Sequence, residues 1–427
     1  MIRKILMLPV ILFTGIQLFA QHNVGEIHGN FEAITQFYNK DDTIGAPDVP
    51  EKMLLNSFTN IIYTKGNFSA GSRFETYLNP LQGFDTRYEG LGIPYKFINY
   101  RDDKIDITAG NYYEQFGTGM IFRSYEERAL GVDNAMNGVR VKYNPYKGIY
   151  LKGIWGKQRL FWDYGDGIVR GIDGEININE LSERLDTIKT RITVGGSFVS
   201  KYQAGLSSTL NLPENVGSYG GRFTINRGKY SLLGEYVYKM NDPSADNYFI
   251  YKPGQAALVT ASYSKKGFGI TLSAKSIDNM SFRSDRGQNL NNLMINYLPA
   301  LTRQHTYNLA ATLYPYATQP TGEVAFQGDI IYKIPKKTKL GGKYGTTIAV
   351  NYSRAHGLDS TQYYNYAQDG GAIIKNEGDS MRIGYSNNFL GLGQQRYFED
   401  ANIEITRKIN KKLKVKGSYI YLVYYSP

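Results

Sequence analysis

The chain has 427 residues, of which 42% are hydrophobic, 14% aromatic and 20% charged, and its formal net charge is +11. So many aromatic side chains exclude a disordered chain, and the length suffices for two ordinary domains or one large all-β barrel. The absence of cysteine excludes a disulfide scaffold, a lipid-modified N-terminal cysteine and thiolate metal sites.

The first twenty residues have the pattern of a secretory signal peptide. Two basic residues, Arg3 and Lys4, precede a short apolar run, and the small residue Ala20 closes it. The alternative is an N-terminal membrane anchor, for which the apolar run is short. We therefore expect a signal peptide at 1–20 and a single outer-membrane β-barrel domain at 21–427.

After the signal peptide, no window approaches the ~20 apolar residues that a membrane helix needs. The mature chain is then either an exported soluble β protein or a barrel that crosses a membrane with strands. On an exported protein, the positive charge argues against a nucleic-acid partner. It favours anionic lipid, anionic solutes or a cationic lumen.

Alternation of apolar and polar residues dominates the remaining chain and predicts β-strands. In "TIAVNYSRA", Ile348, Val350 and Tyr352 alternate with small polar residues, and "GEVAFQGDIIYK" and "RITVGGSFVS" show the same period. Roughly eighteen such runs of about ten residues follow one another. Many are joined by short glycine-bearing turns such as "NRGK" and "KKG", which predicts an antiparallel meander.

Four connections are long and polar, near 157–190, 239–254, 277–304 and 355–380. Short turns at one end and long loops at the other are the layout of an outer-membrane barrel. Counting strands places the first three long loops at one end. The fourth does not fit, which suggests a missed or split strand between about 277 and 320.

A soluble sandwich or propeller is the alternative architecture. The persistent polar face of each strand and the frequent tyrosines near strand ends instead favour a lipid-facing apolar band, aromatic girdles and a wet interior. We expect an all-β fold, a large antiparallel transmembrane β-barrel of roughly 16–20 strands. Because the sequence stops in or just after a strand, at Pro427, truncation before closure is an open alternative.

A mixed-charge segment interrupts the strands between Tyr112 and Tyr143. Ser124 is followed three residues later by Glu127, which is capping-box spacing, and Gly131 then occupies a helix C′ position. We expect a short helix that folds into the lumen, where charge sets size and ion preference. The alternative is a rim turn whose charges pair in water. The candidate lumen-facing charge cluster is Arg123, Glu126, Glu127, Arg128, Asp133 and Arg140.

One acidic and two basic stretches are further candidate sites. "DYGDGIVRGIDGEININE" is a weak candidate for a calcium loop, but glycines occupy ligand positions of the EF-hand pattern, so we expect a solvated external loop and no metal site. The candidate ligands in this stretch are Asp163, Asp166, Asp173 and Glu175. "IPKKTKLGGK" and "RKINKKLKVK" are basic rim turns or, alternatively, contacts to lipid phosphates.

Catalytic motifs are absent from the sequence. The four histidines lie in no metal-protease pattern, and no nucleophile elbow or phosphate-binding loop occurs. We expect a protein that is not an enzyme and needs no cofactor. Some outer-membrane barrels are hydrolases, and a cryptic site would be sought near His305 or His356.

Several segments resemble a known family. The signal peptide ending "FAQ" resembles those of Bacteroidota outer-membrane proteins. "GNYYEQFGTGMIFRSYEERALGVDNAMNGVRVKY", "VRGIDGEININEL" and "LGGKYGTTIAVNYS" resemble blocks of an uncharacterised porin-like barrel family of those bacteria. The resemblance implies a barrel in the outer membrane of a Gram-negative cell envelope. It implies no activity and no catalytic residues.

The expected function is passive passage of small polar or anionic solutes through a porin-like barrel. The alternative is a plugged barrel that acts as a surface scaffold or as a secretion-system or assembly partner. The expected partners are outer-membrane lipid and small solutes, without nucleic acid; the sequence identifies no protein partner.

Overall fold

The computed structural model describes residues 25–205, 207, 210–305, 315–362 and 385–425. The predicted signal peptide lies outside these ranges. The protein is all-β, with 64% of its residues in strands, and most strands belong to one antiparallel sheet of 17 strands. No helix in the described ranges is long and apolar enough to cross a membrane.

The sheet begins with five strands: β1 Glu26–Phe37, β2 Met53–Lys65, β3 Phe68–Leu78, β4 Gly90–Arg101 and β5 Ile105–Tyr112. Two small hairpins follow, formed by β6 Glu114–Phe116, β7 Phe122–Ser124, β8 Glu126–Glu127 and β9 Val132–Asp133. The sheet then resumes with β10 Met136–Tyr146, β11 Ile149–Leu160, β12 Asp163–Asn177, β13 Thr190–Tyr202, β14 Asn215–Arg227 and β15 Tyr230–Lys239. It continues with β16 Gly254–Lys265, β17 Phe268–Asp278, β18 Gly322–Ile334, β19 Thr346–Gln362, β20 Tyr385–Lys408 and β21 Lys414–Tyr424. A four-residue helix, α1 Glu183–Asp186, lies in the connection between β12 and β13.

The strands form an antiparallel meander, as the sequence predicts. Each strand of the sheet pairs with the next one along the chain, and β5 pairs with β10 across the inserted hairpins. In the part of the chain that the structure describes, β1 and β21 are not paired with each other and form the two edges of the sheet.

Connections at the two ends of the sheet differ in length, as expected for a barrel. At the turn end, most connections are tight, such as 66–67, 147–148 and 228–229. At the loop end, the connections include 113–135, 240–253 and 279–321.

One predicted long loop, 157–190, is wrong. β11 and β12 meet there through a two-residue turn, and the remaining connection, 178–189, lies at the turn end. The residues between 163 and 177 form a strand, and the β-branched residues Ile168, Val169, Ile172 and Ile176 favour that conformation. The predicted parity conflict is also resolved, because two strands, β18 and β19, separate the connection 279–321 from residues 363–384, which lie outside the described ranges.

The two faces of the sheet have opposite polarity. Outward side chains are apolar and exposed along the middle of the strands, and they include Ile61, Phe74, Ile98, Trp155, Ile172, Tyr219, Phe223, Tyr236, Val259, Leu272, Phe326, Val350 and Ile403. The inward face combines apolar residues with buried charged side chains, which include Arg73, Glu75, Arg159, Lys201, Lys239, Lys275 and Glu323. A water-soluble β protein has the reverse distribution.

The main hydrophobic core lies inside the curled sheet. Phe116, Ile121 and Phe122 of the inserted hairpins pack with inward residues such as Val199 and Val237. The chain therefore fills part of its own interior, and the inserted segment is held by contacts to several strands.

Gly138 of β10 and Gly156 of β11 face each other at a close approach of two backbones. A Cβ on Gly138 would lie 2.0 Å from the carbonyl oxygen of Trp155. We expect Gly138→Ala to lower the free energy of unfolding by roughly 1–3 kcal/mol, as overpacking does, in a denaturant titration of the refolded protein. Gly153→Ala on the same hairpin is the matched control, because a Cβ there meets no atom within 4 Å. Equal effects of the two variants would contradict this assignment.

Candidate functional site

The segment 113–135, here called the inward segment, enters the interior of the sheet between β5 and β10. Residues 117–121 join β6 to β7 in its first hairpin, and a single 3₁₀ turn, Arg128–Leu130, lies between β8 and β9 in its second. Gly131 ends this turn in the left-handed conformation, with φ of 63°, as the sequence predicts.

The predicted capping box in this segment is wrong. Ser124 belongs to β7, and its Oγ accepts a hydrogen bond from the Glu114 N–H at 3.0 Å. The residue that caps the 3₁₀ turn is Glu127, whose carboxylate accepts from the Ala129 N–H at 3.3 Å. The cross-strand pairing of Glu114 with Ser124 replaces the expected helix.

Glycines of the inner wall allow the inward segment to lie close to the strands. A Cβ on Gly171 would lie 3.0 Å from the Phe116 ring, and one on Gly220 would lie 3.3 Å from Ile121. Both glycines face the interior, so a larger residue would push the segment away from the wall. Glycine in a strand interior is a signal for such close approach.

A second interior segment, 279–301, supports the inward segment through backbone hydrogen bonds. The Arg123 N–H donates to the Ile295 carbonyl at 2.8 Å, and the Tyr297 N–H donates to the Gly119 carbonyl at 2.9 Å. The Asn134 side chain also donates to the Met294 carbonyl, at 3.0 Å. The two segments therefore form one body inside the sheet.

A buried ionic network joins the inward segment to the wall. Asp133 accepts from Arg73 of β3 at 2.5 Å and from Arg159 of β11 at 2.7 Å, both through Oδ2. Glu75 of β3 pairs with the same two guanidinium groups, at 2.6 and 2.7 Å. Glu126 completes the network with a contact of 3.0 Å to Arg73.

Burial makes this network strongly coupled. The side chains of Glu75 and Arg159 are 0% and 1% exposed, and Arg73 is 4% exposed. Removing one member of such a cluster leaves an uncompensated buried charge, which costs roughly 3–5 kcal/mol.

Tyr113 extends the network toward the turn end. Its hydroxyl donates to Asp133 Oδ1 at 3.0 Å, and its ring stacks on Tyr95 with centroids 5.4 Å apart. Burial raises the pKa of Tyr113 well above its ordinary value, and the Asp133 carboxylate adds to the rise. The phenol therefore stays protonated and acts as a donor.

Three of the six candidate charged residues belong to this network or contact one of its members. Glu126 and Asp133 belong to it, and Arg128 contacts Glu126 at 2.8 Å and Glu32 at 2.5 Å. Sequence reasoning missed Arg73, Glu75 and Arg159, because they come from strands distant along the chain.

The other three candidate charges lie elsewhere. Arg123 places its guanidinium over the rings of Tyr125 and Tyr297, at 4.5 and 4.2 Å from the centroids. Glu127 is exposed. Arg140 lies on the inner face of β10 and pairs with Asp106 at 2.9 Å.

Two cavities lie on either side of the network. The turn-side cavity, of about 550 Å³, is lined by inward residues of β2 to β5 and of β10 and ends at Tyr113. The loop-side cavity, of about 370 Å³, is lined by 83–85, 130–134, 159–161 and 290–293 and includes Asp133 and Arg159. The contact between Tyr113 and Asp133 thus spans the partition between them.

The residues of the weak metal candidate lie along one strand. Asp163, Asp166, Asp173 and Glu175 lie along β12 and not in a loop. Asp173 pairs with Arg222 at 2.7 Å, and Glu175 contacts the same guanidinium at 3.1 Å. Within the described ranges, no group of three or more potential metal-binding side chains occurs.

The two histidines considered for catalysis occupy separate places. His305 contacts Asp400 at 2.6 Å. His356 accepts from Arg354 at 2.6 Å and contacts the Gly393 carbonyl at 3.0 Å.

Comparison with solved structures finds similar folds. The chain is similar to the outer membrane protein OprD from Pseudomonas aeruginosa, with 12% identity over 93% of this chain and 87% of that chain and a TM-score of 0.41. It is also similar to Pseudomonas aeruginosa OpdQ, with 12% identity, 93% and 92% coverage and a TM-score of 0.42. For Acinetobacter baumannii OccAB4 the identity is 12%, both coverages are 94% and the TM-score is 0.45. These likenesses are too distant to transfer a property of those proteins.

Comparison with curated protein sequences finds no match. A family described as "Family of unknown function (DUF6029)" matches residues 1–426. This match covers nearly the whole sequence, and the chain belongs to the DUF6029 family.

Proposed function

We propose that the protein is an outer-membrane β-barrel that lets small polar solutes pass passively, and that the inward segment controls the passage. The observation that carries this proposal is the opposite polarity of the two faces of the sheet. Exposed apolar residues such as Ile172, at 65% exposure, suit lipid contact. The buried charges of the inner face suit a polar interior.

Aromatic rings near the turn end support the membrane location. Tyr230, Tyr263, Phe268 and Tyr332 lie on adjacent strands, and their neighbouring ring centroids are 4.9 to 6.4 Å apart. Such a row fits the boundary between hydrocarbon and headgroups, where aromatic girdles occur.

The two cavities support a passage that is divided rather than open. They lie at opposite ends of the sheet, and the partition between them consists of Tyr113, Asp133 and the two arginines of the network. A solute moving along the interior would meet this partition. The charged side chains of the partition would determine which solutes pass, by their size and their charge.

A preference for anions is supported by the turn-side cavity. Its lining contains Arg101 and Arg140 and no acidic residue. Arg101 and Arg140 share one carboxylate, Asp106, at 2.6 and 2.9 Å. The two arginines therefore leave one net positive charge, and the Arg101 side chain is 67% exposed. A basic vestibule raises the local concentration of anions.

A second candidate function is a plugged barrel that serves as a surface scaffold or assembly partner. The observation in its favour is the apolar core inside the sheet, to which Phe116, Met120 and Phe282 contribute with no exposed surface. In this case the inward segment would stay in place, and the barrel would present its loops to a protein.

The membrane proposal predicts a difference between the two faces of one sheet. Ile172→Lys places a charge on the outward face and is expected to cost about 2–4 kcal/mol near the bilayer midplane. Thr224→Lys is the control, because Thr224 pairs in register with inward-facing neighbours and is expected to change stability by less than about 0.5 kcal/mol. The measurement is the free energy of unfolding in lipid vesicles. Similar costs at both positions would contradict a lipid-facing outer surface.

The gating proposal predicts that loosening the network opens the passage. Asp133→Asn leaves Arg73 and Arg159 short of a negative partner, which destabilises the seated segment by roughly 3–5 kcal/mol. We expect a several-fold rise in open probability in single-channel recordings in planar bilayers.

Glu127→Gln is the matched control for this experiment. It removes one acidic charge from the same segment at an exposed position and is expected to leave the recordings unchanged. Absence of conductance in the folded wild-type protein and in Asp133→Asn would contradict the channel and favour the plugged scaffold.

The anion preference predicts a dependence on Arg101. In a salt gradient, the reversal potential of Arg101→Gln is expected to shift toward cation selectivity, because one exposed charge is lost from the turn-side cavity. Arg170→Gln removes the same charge from an exposed position on the outward face of β12 and is the control. A shift of equal size in both variants would contradict a role of the cavity.

A further inference from the structure

Basic residues are concentrated on one half of the turn end. The four neighbouring hairpin turns that join β14 to β21 include the stretches 227–229, 265–267, 333–343 and 407–414. These stretches contain fourteen Lys or Arg residues and no Asp or Glu. We call these residues the basic arc.

The charges of the basic arc are exposed. In the described residues they form no ion pair, whereas Lys416, just beyond the arc, pairs with Glu404 at 2.7 Å. The other half of the turn end is mixed: the stretches 65–67, 101–105, 146–149 and 178–189 contain six basic and five acidic residues. The positive charge is therefore a property of one sector of the rim and not of the whole rim.

The basic arc borders the outward apolar surface directly. Lys265 lies over the ring of Phe268, with Nζ 5.7 Å from the centroid. Lys343 and Lys408 lie over Tyr344 at 5.7 and 5.4 Å. Lysine stems beside aromatic rings at the edge of an apolar band place their charges at headgroup height.

We infer that the basic arc binds the phosphate groups of anionic phospholipids in the leaflet that borders the turn end. This inference rests on the proposed membrane location. A lipid surface is favoured over a soluble polyanion because the charges lie next to the apolar perimeter and its aromatic rings. Each basic residue near an anionic surface contributes about 1 kcal/mol, so several acting together select anionic lipid.

The test uses the full chain refolded into vesicles of phosphatidylethanolamine with phosphatidylglycerol. Lipids that remain bound after extraction into detergent are counted by native mass spectrometry. The wild-type protein is expected to retain phosphatidylglycerol in excess of its share in the vesicles. In the variant Lys336→Gln/Lys337→Gln/Lys411→Gln/Lys412→Gln, the enrichment of bound phosphatidylglycerol is expected to fall by a factor of at least about five, which corresponds to ~1 kcal/mol.

The matched control removes four lysines from the other half of the same rim, as Lys65→Gln/Lys104→Gln/Lys147→Gln/Lys189→Gln. It is expected to retain the wild-type enrichment. Equal loss in both variants, or no enrichment in the wild-type protein, overturns the inference and leaves a solvated rim. Excess inorganic phosphate in the vesicle buffer should not reduce the enrichment, and a reduction would indicate a site for free phosphate instead. Failure of the wild-type protein to insert into any vesicle would contradict the proposed membrane location itself.

Discussion

The pairing of buried charges inside the sheet determines where the inward segment lies. Strands β3 and β11 contribute two arginines, Arg73 and Arg159, and one carboxylate, Glu75, to a single buried cluster. The second arginine charge is neutralised only by the inward segment, through Asp133 and Glu126. An unpaired charge in such a place costs several kcal/mol. The segment is therefore held by electrostatics at one side, and its apolar residues fill the space that remains.

Close packing of backbones complements this electrostatic anchor. β12 carries Gly165 and Gly167 on its path past the second interior segment, and a Cβ on them would lie 2.5 Å from Leu293 and 1.9 Å from the Ser284 carbonyl oxygen. The inner wall carries glycines where the second interior segment packs against it and charged side chains where it binds the inward segment. Together, these two features let a charged inner wall hold a folded apolar body.

Alternation along the strands made the fold class predictable, because a strand whose two faces meet different surroundings alternates apolar and polar residues in its sequence. The network was not predictable in this way: Asp133 meets Arg73 and Arg159, which are 60 and 26 residues away. The sequence of the glycine-rich strand β12 predicts a loop, because glycine and aspartate favour turns. Its glycines instead give close approach inside the sheet.

The two edge strands of the described sheet, β1 and β21, run in the same direction because the number of strands, 17, is odd and all of them pair in antiparallel fashion. Edge groups left without partners in hydrocarbon cost several kcal/mol each. In a bilayer the seam between these strands must therefore close as a parallel ladder, with slanted and slightly weaker hydrogen bonds, or take up one more strand antiparallel to both. If the seam closes in parallel, it is the weakest ladder of the described sheet.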